Sequence, residues 1–354
     1  MWSRRSSSDA LNGWKASRIL IELLKAYSPS GRESEAVEVA GKWARELGYD
    51  DVWVDDSGSL HAEVGKGHIK VLLAGHIDTV PGYLDVKVNG EFVSGRGAVD
   101  AKGPLTSLLL AGPLIEGCRV RFSALTGEED DSRGALALIS RGEKFDHAIV
   151  GEPTGLKIAI GYRGSMKLKA VCKGEGGHSS SPEVGDSAFD KLMELLSSLK
   201  SSSPDAVASI VNAVVASPAD NMLPVEAEAL IDVRFFEKPS LTLPRRCGIK
   251  IRSYTRPVKV KPQTPVVRAL QRSLLSEGLK PIIAVKRGTS DMNLLYESVS
   301  TSIAAFVPGD PRLSHTRSEV IRISEIIVAA RVVAGALRYL CGSSASGGRH
   351  GGVW

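Results

Sequence analysis

Long apolar runs are missing from this 354-residue chain. The longest, such as Val71–Ala74 and Ile303–Val307, fall far short of the ~20 residues that a membrane-crossing helix needs, so no span is predicted. Cysteine is scarce: Cys118, Cys172, Cys247 and Cys341 lie far apart and form no CxxC pair. That spacing fits neither a disulfide framework nor a thiolate zinc site. An excess of one charge is nearly absent too. There are 45 Lys and Arg against 40 Asp and Glu, leaving +5, too mild by itself for a dense nucleic-acid-binding face. No apolar stretch of about 7–15 residues follows the Ser- and Arg-rich start, so no secretory signal is read there. The expectation is a soluble, cytoplasmic protein with reduced thiols.

Hydrophobic residues make up 43% and charged residues 24%, values of a globular chain, which excludes wholesale disorder. At about 100–200 residues per domain, the length predicts about two domains. Residues 1–12 and 342–354 are polar or Gly/Ser-rich and read as loose ends, with His350 incidental. Between them, Trp14–Tyr27 and Glu33–Leu47 carry apolar residues at helical spacing, with Gly48 placed as a C-cap. Short apolar runs at Ile69–Ala74, Val120–Leu125, Ala148–Val150 and Ile303–Val307 read as buried, mostly parallel strands. Helical patterns at Leu105–Ile115 and Gly134–Ser140 separate the first three.

The middle changes character. Met166–Lys173 and Ala227–Phe235 alternate with the two-residue period of half-exposed strands. A helix at Ser187–Leu199, and a short one near Ser203, fall in or near the same block. After Pro265 the pattern returns to helix (Val266–Glu277), strand and a last helix (Ser318–Leu340). The fold class is therefore α/β. A mostly parallel sheet with helices on both faces (residues 1–160 and 263–354) is interrupted by a smaller α+β domain (161–262).

Five segments hold the candidate chemistry, most of them at strand exits. LLAGHIDTVPG carries His76 and Asp78, and GRGAVDAKG carries Asp100. LTGEEDD carries Glu128 and Glu129, VGEPTG carries Glu152, and LSHTRSE carries His315 just before the last helix. Taken singly, each has a plainer reading. A His after a strand is usually structural, a Glu pair is usually a solvated helix start, and Asp100 fits an N-cap. Together they offer imidazole and hard oxygen donors, a set that suits zinc, manganese or cobalt. Open α/β sheets place their sites at the carboxyl ends of strands, where most of these residues fall.

In these motifs the chain resembles the dinuclear zinc peptidase/deacylase family, which includes glutamate carboxypeptidase, acetylornithine deacetylase and succinyl-diaminopimelate desuccinylase. GHIDTVPG, GRGAVDAKG and TGEED carry the likeness, which covers roughly residues 14–340. The resemblance implies two divalent ions bridged by Asp100. His76 and Glu152 would complete one site, and Glu129 and His315 the other. Glu128 would be the general base, taking a proton from the attacking water and passing it to the leaving amine. Asp78 would orient His76, and a cis peptide is expected at Asp100–Ala101. His178 in GGHSSSP would stabilise the oxyanion of a partner subunit's site, which implies a homodimer built through a lid/dimerisation domain. Asn221, Arg234, Gly288 and Thr289 would contact substrate; the plainer reading of RGTSDMN is an N-cap before a helix at Asp291.

GEPTG, IGYRG and KRGTSDMN look most like the archaeal and thermophilic carrier-protein hydrolases of lysine and arginine biosynthesis. These release lysine or ornithine from the C-terminal glutamate of a small acidic amino-group carrier protein of the LysW type. One physical feature bears on this. Residues 245–261 hold seven basic side chains (Arg245, Arg246, Lys250, Arg252, Arg256, Lys259, Lys261) and no acidic one. Such a stretch would steer an acidic protein, or it is an ordinary solvated strand edge. A deacylase of small N-acyl amino acids remains the alternative. A non-catalytic binding protein would need a missing ligand or base, and all six residues are present.

Overall fold

The structure is a computed structural model that describes residues 12–115 and 117–342. Residues 1–11 and 343–354, His350 among them, lie outside the described residues. Two compact units emerge. The second is Gly161–Lys259 with Lys286–Thr289, and the first takes the described residues before Gly161, Val260–Val285, and those from Ser290 onward.

In chain order the first unit begins with α1 (Gly13–Lys25), α2 (Ser34–Leu47), β1 (Asp51–Val54), β2 (Leu60–Val64) and β3 (Ile69–His76). It continues with β4 (Lys87–Asn89), β5 (Phe92–Ser94), α3 (Lys102–Ala111), β6 (Cys118–Leu125), α4 (Arg133–Ser140), β7 (His147–Val150) and β8 (Ile158–Tyr162). The second unit follows as β9 (Gly164–Lys173), α5 (Ala188–Ser201), β10 (Val207–Ala216), β11 (Glu226–Phe235), β12 (Cys247–Thr255) and β13 (Val258–Lys259). The chain then adds α6 (Pro265–Ser276), β14 (Ile283–Lys286), α7 (Asp291–Leu295), β15 (Ile303–Ala305), β16 (Val320–Arg322) and α8 (Ile323–Gly342).

The main sheet of the first unit runs β1-β2-β6-β3-β7-β15-β8, with β14 beside β8. Its centre, β6-β3-β7-β15, comprises the four apolar runs expected from the sequence, and these strands are mutually parallel. Val71–Ala74 of β3 are fully buried, as a strand covered on both faces must be. Register aligns the strand ends. His76 pairs with Leu125, Ala74 with Val150, and Val150 with Ala305, so four chain exits open at one end of the sheet. Helix α3 packs on β3 and α8 and is buried on every side, which its low polarity permits. It starts three residues earlier than its apolar pattern suggests. Pro104 sits in its first turn, where a missing N–H costs no helical bond.

The second unit is a four-stranded antiparallel sheet, β10-β11-β9-β12, with α5 on one face. Met166, Leu168, Ala170 and Cys172 point to the helix and alternate with Lys167, Lys169, Val171 and Lys173. Leu192, Leu195 and Leu199 of α5 close that core, each fully buried and each contributing roughly 1.5–3 kcal/mol of transfer free energy. Ser187 caps the helix, its hydroxyl accepting the Asp190 N–H at 3.2 Å.

Several expectations are corrected. The last helix begins at Ile323, not Ser318, because Val320–Arg322 pair with Phe92–Ser94 in a separate three-stranded sheet, β16-β5-β4. His315 therefore precedes a strand rather than a helix. No separate helix forms near Ser203: α5 runs on to Ser201 and the chain then turns. Asn12, assigned to the loose start, caps α1 by accepting the Lys15 N–H at 2.7 Å, and Gly342 ends α8. The cysteines are not free thiols. Cys118 is bonded to Cys341 and Cys172 to Cys247. The partners lie 223 and 75 residues apart in the chain, and only folding brings their Cα atoms to 5.4 and 4.1 Å. Among the described residues no helix is long and apolar enough to cross a membrane.

Candidate metal centre

The aligned strand ends of the first unit present most of the expected donors. His76 ends β3, Glu128 and Glu129 follow β6, and Glu152 follows β7. Asp100 arrives from the loop before α3, across a cis Asp100–Ala101 peptide. It does not cap α3, whose N-cap is Ala101.

Asp100 stands between the two imidazoles. Its Oδ1 lies 3.0 Å from His76 Nε2, and its Oδ2 lies 3.4 Å from His315 Nε2. The same His315 nitrogen is 2.7 Å from Glu129 Oε1. One donor atom each from His76, Asp100 and Glu129 falls within 4.8 Å of the others. His76 Nδ1 is 2.9 Å from the carbonyl oxygen of Asp78, which leaves Nε2 as the atom facing Asp100. The Asp78 carboxylate is 3.5 Å from that imidazole. It also does something the motif did not announce. Its two oxygens accept the N–H groups of Glu128 and Glu129, both at 3.1 Å, and the Ser30 hydroxyl at 2.6 Å. Asp78 thereby ties the exit of β3 to the exit of β6.

The electrostatics follow from crowding carboxylates into a buried space. Burial, then the neighbouring Glu152, pushes the Glu128 carboxyl well above the ordinary carboxylate range. Burial and Asp100 do the same to Glu152, against the pull of His76. Burial disfavours charge on His76, yet Asp100 and Asp78 outweigh it and hold its pKa well above the usual imidazole value. Hydrogen bonds to Asp100 and Glu129 raise His315 to about 10. Asp100 is held low by His315 and His76 despite its burial.

A carboxylate to which no site role was assigned joins this group. Asp291, at the start of α7, is 2% exposed, and its Oδ1 has no hydrogen-bond partner. Burial lifts it to about 7. The N-cap expected before a helix at Asp291 is Ser290, in a reciprocal box with Asn293. The donor set thus fits divalent cations. Imidazole nitrogens face carboxylate oxygens, and a buried acceptor is left over.

That arrangement predicts a proton count. Both imidazoles are raised, so both carry protons at pH 7, and each must lose one to ligate a metal. Loading the metal-free protein at pH 7 is expected to release at least two protons, one from each imidazole and a further share from the raised Glu152 carboxyl, with affinity falling as pH falls. Calorimetry in buffers of different ionisation enthalpy measures this number. A release near zero would sink the assignment of His76 and His315.

The second unit places the remaining candidates in two pairs. His178 bridges to Met222, and Ser179 N–H donates to the Asn221 carbonyl at 2.9 Å, so His178 and Asn221 lie together. Ser180 N–H donates to His178 Nδ1 at 3.2 Å, so the neutral ring carries its proton on Nε2. Arg234 Nη1 donates to Thr289 Oγ1 at 3.1 Å, while its Nε donates to Asp232 at 3.0 Å. A Cβ added at Gly288 would meet nothing within 4 Å.

Comparison with known proteins converges on one family. A curated relative from Aeropyrum pernix is 42% identical over 95% of this chain and 99% of its own length. The [LysW]-lysine/[LysW]-ornithine hydrolase of Sulfurisphaera tokodaii is 38% identical over 92% of this chain and 96% of its own. Among solved structures, the aminopeptidase PepT of Bacillus cereus shares the fold at a TM-score of 0.78 and 19% identity, covering 94% of this chain and 99% of that one. The M20 family metallo-carboxypeptidase Sso-CP2 of Sulfolobus solfataricus shares it at 0.72 and 16%, covering 92% and 99%. The family model described as Peptidase family M20/M25/M40 matches residues 72–339, so the chain belongs to that family.

Proposed function

We propose that the protein is a metal-dependent amide hydrolase that releases lysine, ornithine or both from the C-terminal glutamate of a LysW-type carrier protein. One observation carries the chemistry: Asp100 faces His76 with one oxygen and His315 with the other. Two zinc ions, or cobalt or manganese, would be held by His76, Asp100, Glu129, Glu152 and His315. When bound, such cations supply Lewis acidity, lowering the pKa of water from about 15.7 toward ~7 and polarising a carbonyl. Glu128 takes the proton of the attacking water and returns it to the leaving amine. Burial and the neighbouring Glu152 raise its affinity for a proton, the direction that a group accepting one from water needs.

His178 is the candidate donor to the tetrahedral oxyanion, through its Nε2–H, in the site of a partner subunit. A homodimer agrees with the edge strand β10, which exposes Val207, Val211, Val214 and Val215. Asn221, Arg234, Gly288 and Thr289 are the candidate contacts to the substrate carboxylate and backbone. Arg234 is already oriented by Asp232, as a bidentate guanidinium needs to be. Cytoplasmic placement with both disulfides formed matches the habit of hyperthermophile proteins.

The choice of substrate rests on the named relatives and on charge. Of the basic residues of 245–261, Arg246 is engaged by Glu175 at 2.7 Å, so the better probes are the exposed Arg245, Lys250 and Arg252. Reversing these three to Glu is expected to lower kcat/KM for carrier-linked lysine roughly 10- to 100-fold at low salt and to flatten its salt dependence. Turnover of acetylornithine by the same variant is the control. An unchanged rate and salt dependence would remove the docking role. Faster cleavage of acetylornithine than of carrier-linked lysine by the unmodified protein would instead select the small-molecule deacylase.

A further inference from the structure

One buried ion pair outside the donor set holds the loops that present it. Glu319 is 1% exposed and Arg96 7% exposed, and they meet through Oε1 and Nη1. The other oxygen of Glu319 accepts three backbone N–H groups of a single loop: Gly97 at 3.0 Å, Val99 at 3.2 Å and Asp100 at 3.3 Å. Its own carbonyl accepts the Gly95 N–H at 3.3 Å. Arg96 reaches outward with the rest of its fork. Nε donates to Gly82 O at 2.9 Å, in the stretch that follows His76 and Asp78. Nη1 also donates to Thr316 O at 3.0 Å, the carbonyl next to His315.

We propose that Glu319, clamped by Arg96, is a positioning residue that sets Asp100 and His315 for metal binding, an inference that rests on the metal-centre assignment above. Asp100 must aim its two carboxylate oxygens at separate imidazoles, which requires its backbone to be fixed in place and rotation. A single carboxylate that binds the Asp100 N–H and two N–H groups just before it does so. The loop is shaped for this approach. Gly97 has φ +91°, and a Cβ there would come within 2.9 Å of Thr79 Cγ2. His315 adopts φ +65°, a left-handed conformation that a non-glycine residue keeps only when its surroundings impose it. The hold of Arg96 on Thr316 O is such an imposition. Packing alone would not require a charged pair here, because an unpaired buried charge is costly and an apolar pair of equal volume is often as stable.

The test is metal affinity, read on folded protein by calorimetry and by the visible spectrum of the cobalt form. Glu319→Gln keeps the volume and one acceptor oxygen but loses the charge that holds Arg96. Arg96→Lys keeps the charge but loses the fork. Each is expected to raise the metal dissociation constant about 10- to 100-fold, the usual effect of losing a partner behind a ligand. Each should also shift the cobalt spectrum, with kcat recovering at saturating metal and KM unchanged. Wild-type affinity and spectrum in either folded variant would overturn the positioning role alone. Failure of the unmodified protein to take up any divalent cation would overturn both this role and the metal centre.

Discussion

Replacing Glu128 with Ala is expected to lower kcat by about 10²- to 10⁴-fold, which is roughly 2.7–5.5 kcal/mol of barrier, while leaving the metal content unchanged. The separation of the two readouts follows from position. The imidazole and carboxylate contacts of the cluster run through His76, Asp100, Glu129 and His315, and none runs through Glu128. What Glu128 contributes is a carboxyl whose affinity for a proton is raised by burial and by Glu152. Because the shift is upward, the acid limb of kcat/KM should lie above the ordinary Glu range and disappear in the variant. Metal analysis of the purified variant together with single-turnover rates decides the matter. Metal lost along with activity would make Glu128 a ligand instead of a base.

Opening the Cys118–Cys341 bond, by Cys118→Ser with Cys341→Ser, is expected to destabilise the first unit by about 2–5 kcal/mol. The bond spans 223 residues and joins the start of a central strand to the last turn of the C-terminal helix. Chain entropy alone gives about 5 kcal/mol for a loop of that size, an upper bound because a reduced chain keeps some structure. For a unit of this size the loss corresponds to a fall in Tm of about 5–15 °C. The 75-residue loop closed by Cys172–Cys247 should add a smaller loss in the second unit when reductant is present. Thiol titration of protein unfolded without reductant provides the direct check. No reactive thiol is expected, and four would refute both bonds.

Both results bear on how the chain encodes its site. The four central strands were legible because a strand buried on both faces must be continuously apolar, and Val71–Ala74 and Ile303–Ala305 are. The donors were legible because they stand in compact motifs next to those strands. Edge elements were not. β1 reads DVWV and is largely exposed, so no pattern of burial marks it. β10 is exposed along most of its length for the same reason.

The amino-acid sequence by itself determined the parallel core, the change to alternating strands in the middle of the chain, and which residues are the candidates for the centre. Each of these is written in local periodicity or in a short motif. Only the tertiary structure decided which cysteines meet, that Asp78 spends its oxygens on the backbone of Glu128 and Glu129, and that Asp291 joins the buried carboxylates. It alone decided that Glu319 reaches back more than two hundred residues to hold the loop of Asp100. The physical reason is range. Period and motif act over a few residues, whereas hydrogen bonds and disulfides between distant segments depend on strand register and on where each chain exit points, which exist only once the sheet has formed.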